Sequence, residues 1–294
     1  MTGRTLAFLL SGAALFVLAT YMERASAAVD PKEEASMAAG QLEAGPYAYK
    51  DGDVELEGYL AYNPIQKGKR PGILIVHEWW GVNEYTQHRA QRLARMGCVA
   101  LVADMYGKGL RATTAEAAAK LAGPFRADRD LMRQRVGVAL ANLKANPRVD
   151  TNRIVAIGYC FGGTCVLELA RSGADLAGVV SFHGGVDAPH PDATQKPRAA
   201  ILVCHGAADP NVPAESVDAF RREMNRCGAD WQLNMYGGAV HSFTNPDAGN
   251  DPSKGFAYQA AADRRSWEDM LQFFSRVLGN ANDAAGLTIK ASDK

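Results

Sequence analysis

Residues 153–170 read RIVAIGYCFGGTCVLELA, and this segment predicts a strand, a sharp turn and a helix in direct succession. Its first part is a short β-branched apolar run, which is typical of a strand buried on both faces, and its last part has apolar residues at helical spacing. Gly158 and Gly162 lie two residues before and after Cys160. A Cβ at either position would clash with the neighbouring strand or helix. The pattern therefore predicts a turn that holds Cys160 at the start of a helix, where the helix dipole favours a thiolate.

This turn has two interpretations. In the first, it is a nucleophile elbow with cysteine in place of the more usual serine. In the second, the glycines serve packing alone and Cys160 is an ordinary buried thiol. A short motif is a hypothesis until its structural context agrees, so the rest of the chain has to decide between the two.

The composition excludes several classes of partner. The chain has 294 residues, of which 47% are hydrophobic, and can therefore bury one large core. Lysine plus arginine and aspartate plus glutamate number 32 each, without a basic run or an acidic tail. We therefore expect no binding of nucleic acid and no electrostatic attraction to a membrane surface.

The first residues predict export. Arg4 precedes an apolar stretch at residues 6–20, and small residues follow at 25–28. A positive start, a short apolar centre and an A-x-A site indicate a secretory signal peptide, residues 1–27. The alternative is an uncleaved anchor, but the apolar stretch is shorter than the ~20 residues that span a bilayer. We expect a periplasmic or secreted protein with no stable membrane insertion after signal cleavage.

The remaining chain predicts one domain of the α/β class. We expect a flexible leader at residues 28–46, the domain at 47–280 and a polar tail at 281–294. Buried apolar runs alternate with helical segments, which predicts a mostly parallel central sheet with helices on both faces. The long helical stretch at 112–146 contains Gly123-Pro124 and predicts two helices separated at that pair.

Three more polar residues follow predicted strand ends: Glu78, Asp209 and His241. Ligand sites of parallel sheets lie beyond the carboxyl ends of the strands, so we expect these residues and Cys160 to share one rim. A reactive thiol needs a base, and the base needs an orienting partner. The chain order cysteine, aspartate, histidine therefore predicts a triad, although Asp209 or His241 taken alone could be an ordinary loop residue.

Four segments resemble those of a known family. They are GYCFGG at Cys160, HEWWGVN at Glu78, HGAADP at Asp209 and GGAVHSF at His241. With them the chain resembles the dienelactone hydrolase family of α/β-hydrolases from about residue 47 to residue 278. The resemblance implies an α/β-hydrolase fold and the cleavage of a small-molecule ester or lactone. It implies Cys160 as nucleophile, Asp209 and His241 as its partners, and Glu78 as the glutamate that helps to generate the thiolate. The alternative for Glu78 is a loop salt bridge.

The expected chemistry requires no metal or organic cofactor. Cys160 attacks the carbonyl carbon, and the backbone N–H groups of Phe161 and Trp79 hold the oxyanion. His241 then protonates the leaving alkoxide and activates water.

The sequence departs from the family where the substrate is recognised. Dienelactone-cleaving members bind the substrate carboxylate with arginines, one of them four residues after the triad histidine, where this chain has Asn245. Neither Arg111 nor Arg126 aligns clearly with the other arginine. We therefore expect a neutral ester or lactone instead of an anionic dienelactone. The candidate substrate-binding residues are Trp80, Tyr106, Tyr159, Phe243 and Asn245, with packing under the rim as the alternative for Trp80 and Tyr106.

Two other functions remain open. One is a non-catalytic extracytoplasmic binding protein on the same scaffold. The other is a thiol-redox protein using Cys160 and Cys165, although a bridge across an elbow and a helix has poor geometry. A metal site at the strand-end histidines His77, His183 and His205 is conceivable, but no carboxylate pattern surrounds them. We expect a monomer or a small homo-oligomer.

Overall fold

The structure, a computed structural model, describes residues 42–279. The expected signal peptide at 1–27 and polar tail at 281–294 lie outside this range, as does most of the expected leader. Among the described residues, no helix combines the length and the apolar character needed to cross a membrane.

One eight-stranded sheet forms the centre of the fold. Its strands are β1 (Glu43–Asp51), β2 (Val54–Tyr62), β3 (Arg70–Val76), β4 (Val99–Ala103), β5 (Val149–Tyr159), β6 (Gly178–Phe182), β7 (Ala200–Gly206) and β8 (Trp231–Tyr236). Their order across the sheet is β1-β2-β4-β3-β5-β6-β7-β8. The β1–β2 and β2–β4 pairs are antiparallel, and the other five pairs are parallel. The predicted mostly parallel sheet is confirmed.

Within residues 42–279, six α-helices cover the two faces of the sheet. They are α1 (Glu84–Arg95), α2 (Ala115–Ala127), α3 (Arg129–Ala145), α4 (Phe161–Arg171), α5 (Ala214–Cys227) and α6 (Ala260–Leu278). Buried side chains of α2 to α5 belong to one apolar core and those of α1 and α6 to another. Strand β3 separates the two cores, because Leu74 and Val76 face the first and Ile73 and Ile75 face the second. Burial of each such aliphatic side chain contributes roughly 2 kcal/mol to the free energy of unfolding.

The helical stretch at 112–146 divides later than the sequence predicted. Pro124 lies inside α2, which continues to Ala127. The separation occurs at Asp128, whose carboxylate accepts hydrogen bonds from the backbone N–H groups of Asp130 and Leu131 at the start of α3. The prediction of a break at Gly123-Pro124 was wrong, because the proline removes a single backbone donor near the end of α2 while the aspartate caps the free donors of the next helix.

Strand β1 includes residues that the sequence assigned to the leader. Glu43 pairs with Tyr62 of β2, so residues 43–46 are strand and not flexible chain. The strand was missed because it lies at the edge of the sheet, and most of its side chains are exposed or half-buried. Such a strand carries little of the apolar pattern from which buried strands are predicted.

Candidate active site

The turn between β5 and α4 holds Cys160 in a strained conformation. Its φ of 54° and ψ of −116° lie outside the regions that non-glycine residues favour, at a cost of roughly 1–3 kcal/mol. A Cβ on Gly158 would lie 2.0 Å from the backbone oxygen of Gly162, and a Cβ on Gly162 would lie 2.2 Å from the backbone oxygen of Val76. The two glycines therefore permit the close crossing of strand and helix that the sequence predicted.

A hydrogen-bonded series joins Cys160, His241 and Asp209. Cys160 Sγ lies 3.0 Å from His241 Nε2, and His241 Nδ1 lies 2.9 Å from Asp209 Oδ2. The other carboxylate oxygen of Asp209 accepts a hydrogen bond from the backbone N–H of Asn211 at 2.8 Å, which fixes its orientation. The three side chains come from the ends of β5, β7 and β8, and the structure brings them together at the expected rim. This is the geometry in which an imidazole can activate a thiol.

The electrostatics of this series favour a protonated His241. Burial by itself lowers the pKa of His241, but the Cys160 thiolate and the Asp209 carboxylate offset it. Together they hold the pKa of His241 well above its usual value. The protonated form of His241 is therefore favoured beside these two groups.

Glu78 follows β3 and contacts the loop that carries His241. Its Oε2 accepts a hydrogen bond from Asn245 Nδ2 at 2.6 Å, and its Oε1 accepts one from Ser242 Oγ at 3.4 Å. Only 2% of Glu78 is exposed, and burial raises its pKa. These neutral hydrogen-bond partners differ from the loop salt bridge that was the alternative for this residue.

Asn245 holds Glu78 with its buried side-chain amide. While its amide nitrogen donates to Glu78, its Oδ1 accepts a hydrogen bond from the backbone N–H of Asp247 at 3.0 Å. The residue is buried, and both ends of its amide are engaged. The expectation that Asn245 binds substrate is corrected: the side chain positions a carboxyl group instead.

Two backbone donors beside Cys160 are free. Within residues 42–279, the N–H groups of Trp79 and Phe161 donate to no protein acceptor. Phe161 is the first residue of α4, where a helix leaves its N–H groups unpaired. Trp79 is fixed by a hydrogen bond from Tyr106 Oη to its carbonyl oxygen at 3.0 Å. Both groups have the availability that the predicted oxyanion donors need.

An aromatic cluster lies around these donors. Ring centroids are 5.1 Å apart for Trp79 and Trp80, 5.8 Å for Tyr106 and Phe161, and 6.1 Å for Phe125 and Phe161. Trp79 and Trp80 are half-buried, whereas Tyr106 is buried and packs under them. Of the expected substrate-binding residues, Trp80 thus has accessible surface, and Tyr106 supports the loop from below.

Tyr159 and Phe243 do not line a pocket. Tyr159 has no exposed surface and stacks on Phe182 with centroids 4.8 Å apart. Phe243 is also fully buried, and both residues belong to the core under α1 and α6. Successive residues of a strand point to opposite faces, so Tyr159 faces away from its neighbour Cys160. Their assignment to substrate binding was wrong.

The two arginines considered for anion binding differ in their surroundings. Arg111 donates to the carbonyl oxygens of Val82 at 2.7 Å and Glu57 at 3.0 Å, and so holds the backbone together. Arg126 is exposed, and its guanidinium carbon lies 5.8 Å from the centroid of the Trp79 ring.

His183 is a site residue that the sequence considered only as a conceivable metal ligand. Its Nδ1 accepts a hydrogen bond from the backbone N–H of Cys160 at 3.1 Å, and its ring packs edge-on against His241. The one available signal was its position at the end of β6, the strand next to β5. No group of histidine, cysteine, aspartate and glutamate side chains in the described part of the chain is arranged to hold a metal ion.

The sheet order, the strained elbow and the strand-end residues define an α/β-hydrolase fold. Residues 56–278 match the dienelactone hydrolase family. The chain belongs to this family and is therefore a hydrolase of the ester and lactone class.

The cysteines do not form disulfide bonds. All five are free thiols: Cys98, Cys160, Cys165, Cys204 and Cys227.

Similar proteins agree with this assignment. A solved structure called m3DLH is 40% identical to this chain, with a TM-score of 0.78. The match covers 81% of this chain and 99% of the m3DLH chain. A dienelactone hydrolase-like promiscuous phosphotriesterase from metagenomic libraries is 39% identical, with a TM-score of 0.76 and the same two coverages, 81% and 99%. A Salmonella typhimurium protein with the provisional name carboxymethylenebutenolidase is 24% identical over 249 residues, which are 82% of this chain and 90% of that protein.

Proposed function

We propose that this hydrolase cleaves a neutral carboxylic ester or lactone through a Cys160-His241-Asp209 triad and a thioester intermediate. The observation that carries the proposal is the pair of contacts to His241, 3.0 Å to the thiol and 2.9 Å to the carboxylate. The alternative, a binding protein without catalysis, would not need a thiol, an imidazole and a carboxylate in hydrogen-bonded order together with the free N–H groups of Phe161 and Trp79.

Acylation uses the charge-separated pair. The Cys160 thiolate attacks the carbonyl carbon, and the oxyanion that forms accepts hydrogen bonds from the N–H groups of Phe161 and Trp79. The Nε2 proton of His241 moves to the leaving oxygen as its bond to the carbonyl carbon breaks. The products of this half-reaction are a free alcohol, or the open hydroxyl end of a lactone, and a thioester on Cys160.

Deacylation reverses the direction of proton transfer. Water attacks the thioester carbonyl while His241 Nε2 takes its proton, and the same two N–H groups stabilise the second oxyanion. The C–S bond breaks, the carboxylic acid leaves, and Cys160 returns as a thiolate beside an imidazolium. Asp209 keeps the proton of His241 Nδ1 in place, so that Nε2 faces the reacting atoms.

Glu78 assists the formation of the thiolate in this proposal. It is a buried carboxyl group with a raised pKa, and Ser242, one of its hydrogen-bond partners, directly follows His241 in the chain. As an ionised carboxylate, such a group can accept the proton of the Cys160 thiol when the substrate binds, which leaves the thiolate that attacks.

A neutral substrate fits the charges around the site. Asn245 replaces the family arginine and is engaged with Glu78, while Arg111 is engaged with backbone carbonyl groups. Trp79 and Trp80 present half-buried aromatic surface instead. Of the two arginines considered for an anionic dienelactone, Arg111 is engaged, and Arg126 lies over the outer Trp79 ring at 5.8 Å.

A phosphotriester is a second candidate substrate. The 39% identical relative described as a promiscuous phosphotriesterase covers 99% of its own length in the comparison, and a phosphotriester is also neutral. Attack of the Cys160 thiolate on phosphorus would expel the leaving group, and the N–H groups of Phe161 and Trp79 would hold the phosphoryl oxygen.

The test is a parallel assay of wild type and Cys160→Ala with p-nitrophenyl acetate, a neutral lactone and a p-nitrophenyl phosphotriester. Turnover of the two carboxylic substrates by wild type that disappears in Cys160→Ala supports the proposal. Turnover of the phosphotriester that also disappears in Cys160→Ala would support the second candidate, and no turnover of it by wild type would exclude that candidate. Equal rates in the two proteins would overturn the cysteine mechanism.

We also propose that the protein is exported, on the basis of residues 1–27. N-terminal sequencing of protein recovered from the periplasm or the medium would support this by finding residues 1–27 removed. Intact full-length chain confined to the cytoplasm would contradict it.

A further inference from the structure

Phe256 is an exposed aromatic residue with no place in either apolar core. Its exposed fraction is 49%, and among residues 42–279 large apolar side chains with comparable exposure are otherwise Val54, Leu110 and Met235. Neither core includes Phe256. The exposed part of this ring is apolar surface that a ligand can cover.

A short parallel bridge places Phe256 beside His241. The backbone N–H of His241 donates to the carbonyl oxygen of Gly255 at 3.2 Å, and the N–H of Ala257 donates to the carbonyl oxygen of His241 at 3.0 Å. Residues that are paired in this way are neighbours whose side chains leave the ladder on the same face. The Phe256 side chain therefore leaves its segment on the same side as the His241 imidazole, which contacts Cys160.

The segment that carries Phe256 is anchored on both sides. Gly255, with φ of 79°, packs so closely on Pro210 that a Cβ would lie 2.7 Å from the proline ring. After Phe256, the backbone N–H of Gln259 donates to the carbonyl oxygen of Phe243 at 3.0 Å. The backbone that carries the ring is thus fixed relative to the loops of Asp209 and His241, and binding a ligand there requires little ordering of the chain.

The chemistry of the proposed reaction assigns this position to one part of the substrate. His241 Nε2 gives its proton to the leaving oxygen, so the alcohol portion must lie on the His241 side during acylation. The oxyanion donors, Trp79 and Phe161, belong to a separate aromatic cluster on the other loops. A phenyl ring on the segment that pairs with His241 therefore lies on the side of the alcohol portion.

We infer that Phe256 binds the leaving group, and that the enzyme prefers esters whose alcohol carries an aromatic ring, such as benzyl esters. This inference rests on the proposed function and specifies its substrate class. Ring-to-ring contact would bury apolar surface on both partners in the transition state, which raises kcat/KM for such esters relative to small alkyl esters.

The experiment compares three esters that separate the two sides of the substrate. Benzyl acetate carries its ring on the alcohol, ethyl phenylacetate carries it on the acyl group, and ethyl acetate has none. The variants are Phe256→Ala, Phe256→Leu and, as a matched exposed residue, Met235→Ala. The measured quantity is kcat/KM, because it reports acylation, the step in which the leaving group is still attached.

For Phe256→Ala we expect kcat/KM for benzyl acetate to fall about tenfold, from the area that one ring contact buries. Both ethyl esters should change less than twofold, Phe256→Leu should lie between, and Met235→Ala should match wild type throughout. Equal losses on all three esters, a loss confined to ethyl phenylacetate, or no preference of wild type for benzyl acetate over ethyl acetate would overturn the inference.

Cys160→Ala, assayed on the same esters, separates this inference from the function on which it rests. Turnover that survives in Cys160→Ala would overturn both. Turnover that vanishes in Cys160→Ala, together with a uniform response of Phe256→Ala, would overturn the leaving-group assignment alone.

Discussion

His183 Nδ1 accepts a hydrogen bond from the backbone N–H of Cys160 at 3.1 Å, while its ring lies edge-on to His241 with centroids 5.3 Å apart. An accepting Nδ1 requires the proton on Nε2, which lies 2.8 Å from Thr244 Oγ1. Burial and the nearby His241 charge hold the pKa of His183 well below its usual value, so its ring is neutral. A neutral imidazole thus supports the strained cysteine without repelling the His241 imidazolium.

Replacing His183 should impair acylation through the position of Cys160. The Cys160 N–H has two acceptors, because the carbonyl oxygen of Phe182 also accepts it at 3.0 Å. His183→Leu removes one of them, and we expect kcat/KM for p-nitrophenyl acetate to fall about fivefold, the value of one hydrogen bond of ~1 kcal/mol. His183→Asn keeps an acceptor and tolerates the φ of 41° found at this residue, so it should retain more activity. Wild-type rates in His183→Leu would show that the contact has no part in positioning the thiol.

The link between Asn245 and Glu78 should appear in the pH–rate profile. The Asn245 hydrogen bond lowers the pKa of Glu78, against the larger effect of burial that raises it. Asn245→Ala should therefore raise that pKa further and move the acid limb of kcat/KM to higher pH. Ser242→Gly, which removes the longer 3.4 Å contact and tolerates the φ of 58°, should move it less. An acid limb that stays in place in both variants would contradict a role for ionised Glu78.

Buried neutral histidines should make the fold sensitive to acid. Burial lowers the pKa of His77 from 6.5 to about 4. The unfolded chain then takes up this proton first as the pH falls below about 6.5, so the free energy of unfolding decreases between pH 6.5 and 4, by about 3 kcal/mol from this residue. Urea unfolding across this range should show a smaller decrease for His77→Gln, with the exposed His190→Gln as control. Identical slopes in His77→Gln and wild type would contradict this assignment.

A buried ion network should contribute strongly to stability. Arg171 donates to both carboxylate oxygens of Glu223, at 2.9 and 2.8 Å, and to Glu168 at 2.9 Å, which joins α4 to α5. Arg171→Met would leave buried carboxylates without this partner, and we expect a loss of about 4 kcal/mol in the free energy of unfolding. Arg221→Ala breaks an exposed pair with Asp218 and should cost below about 1 kcal/mol. Similar losses in the two variants would contradict the importance of burial here.

The sequence was sufficient for the central sheet and the elbow because both depend on local signals. Apolar runs marked β3 to β8, and the spacing of Gly158 and Gly162 around Cys160 marked a crossing that only glycine permits. Strand β1 gave no such signal, because an edge strand is paired on one side and mostly exposed.

Side-chain direction and tertiary contacts limited the prediction of the site. Aromatic character drew Tyr159 into the expected pocket, although its position next to Cys160 in the strand turns it to the opposite core. Asn245 and His183 act on residues far away in the chain, Glu78 and Cys160, and no local pattern reports such contacts. The order of the strand-end residues along the chain could be predicted from the sequence, but the hydrogen-bond partners of their side chains could not.

The most direct test of the account is to identify the acylated residue. Wild type and His241→Gln are mixed with p-nitrophenyl butyrate, quenched in acid during the first turnover and digested for peptide mass spectrometry. We expect a butyryl thioester on Cys160, at higher occupancy in His241→Gln if its loss slows deacylation more than acylation. Acylation of another residue, or turnover by wild type with Cys160 unmodified throughout, would contradict the proposed mechanism.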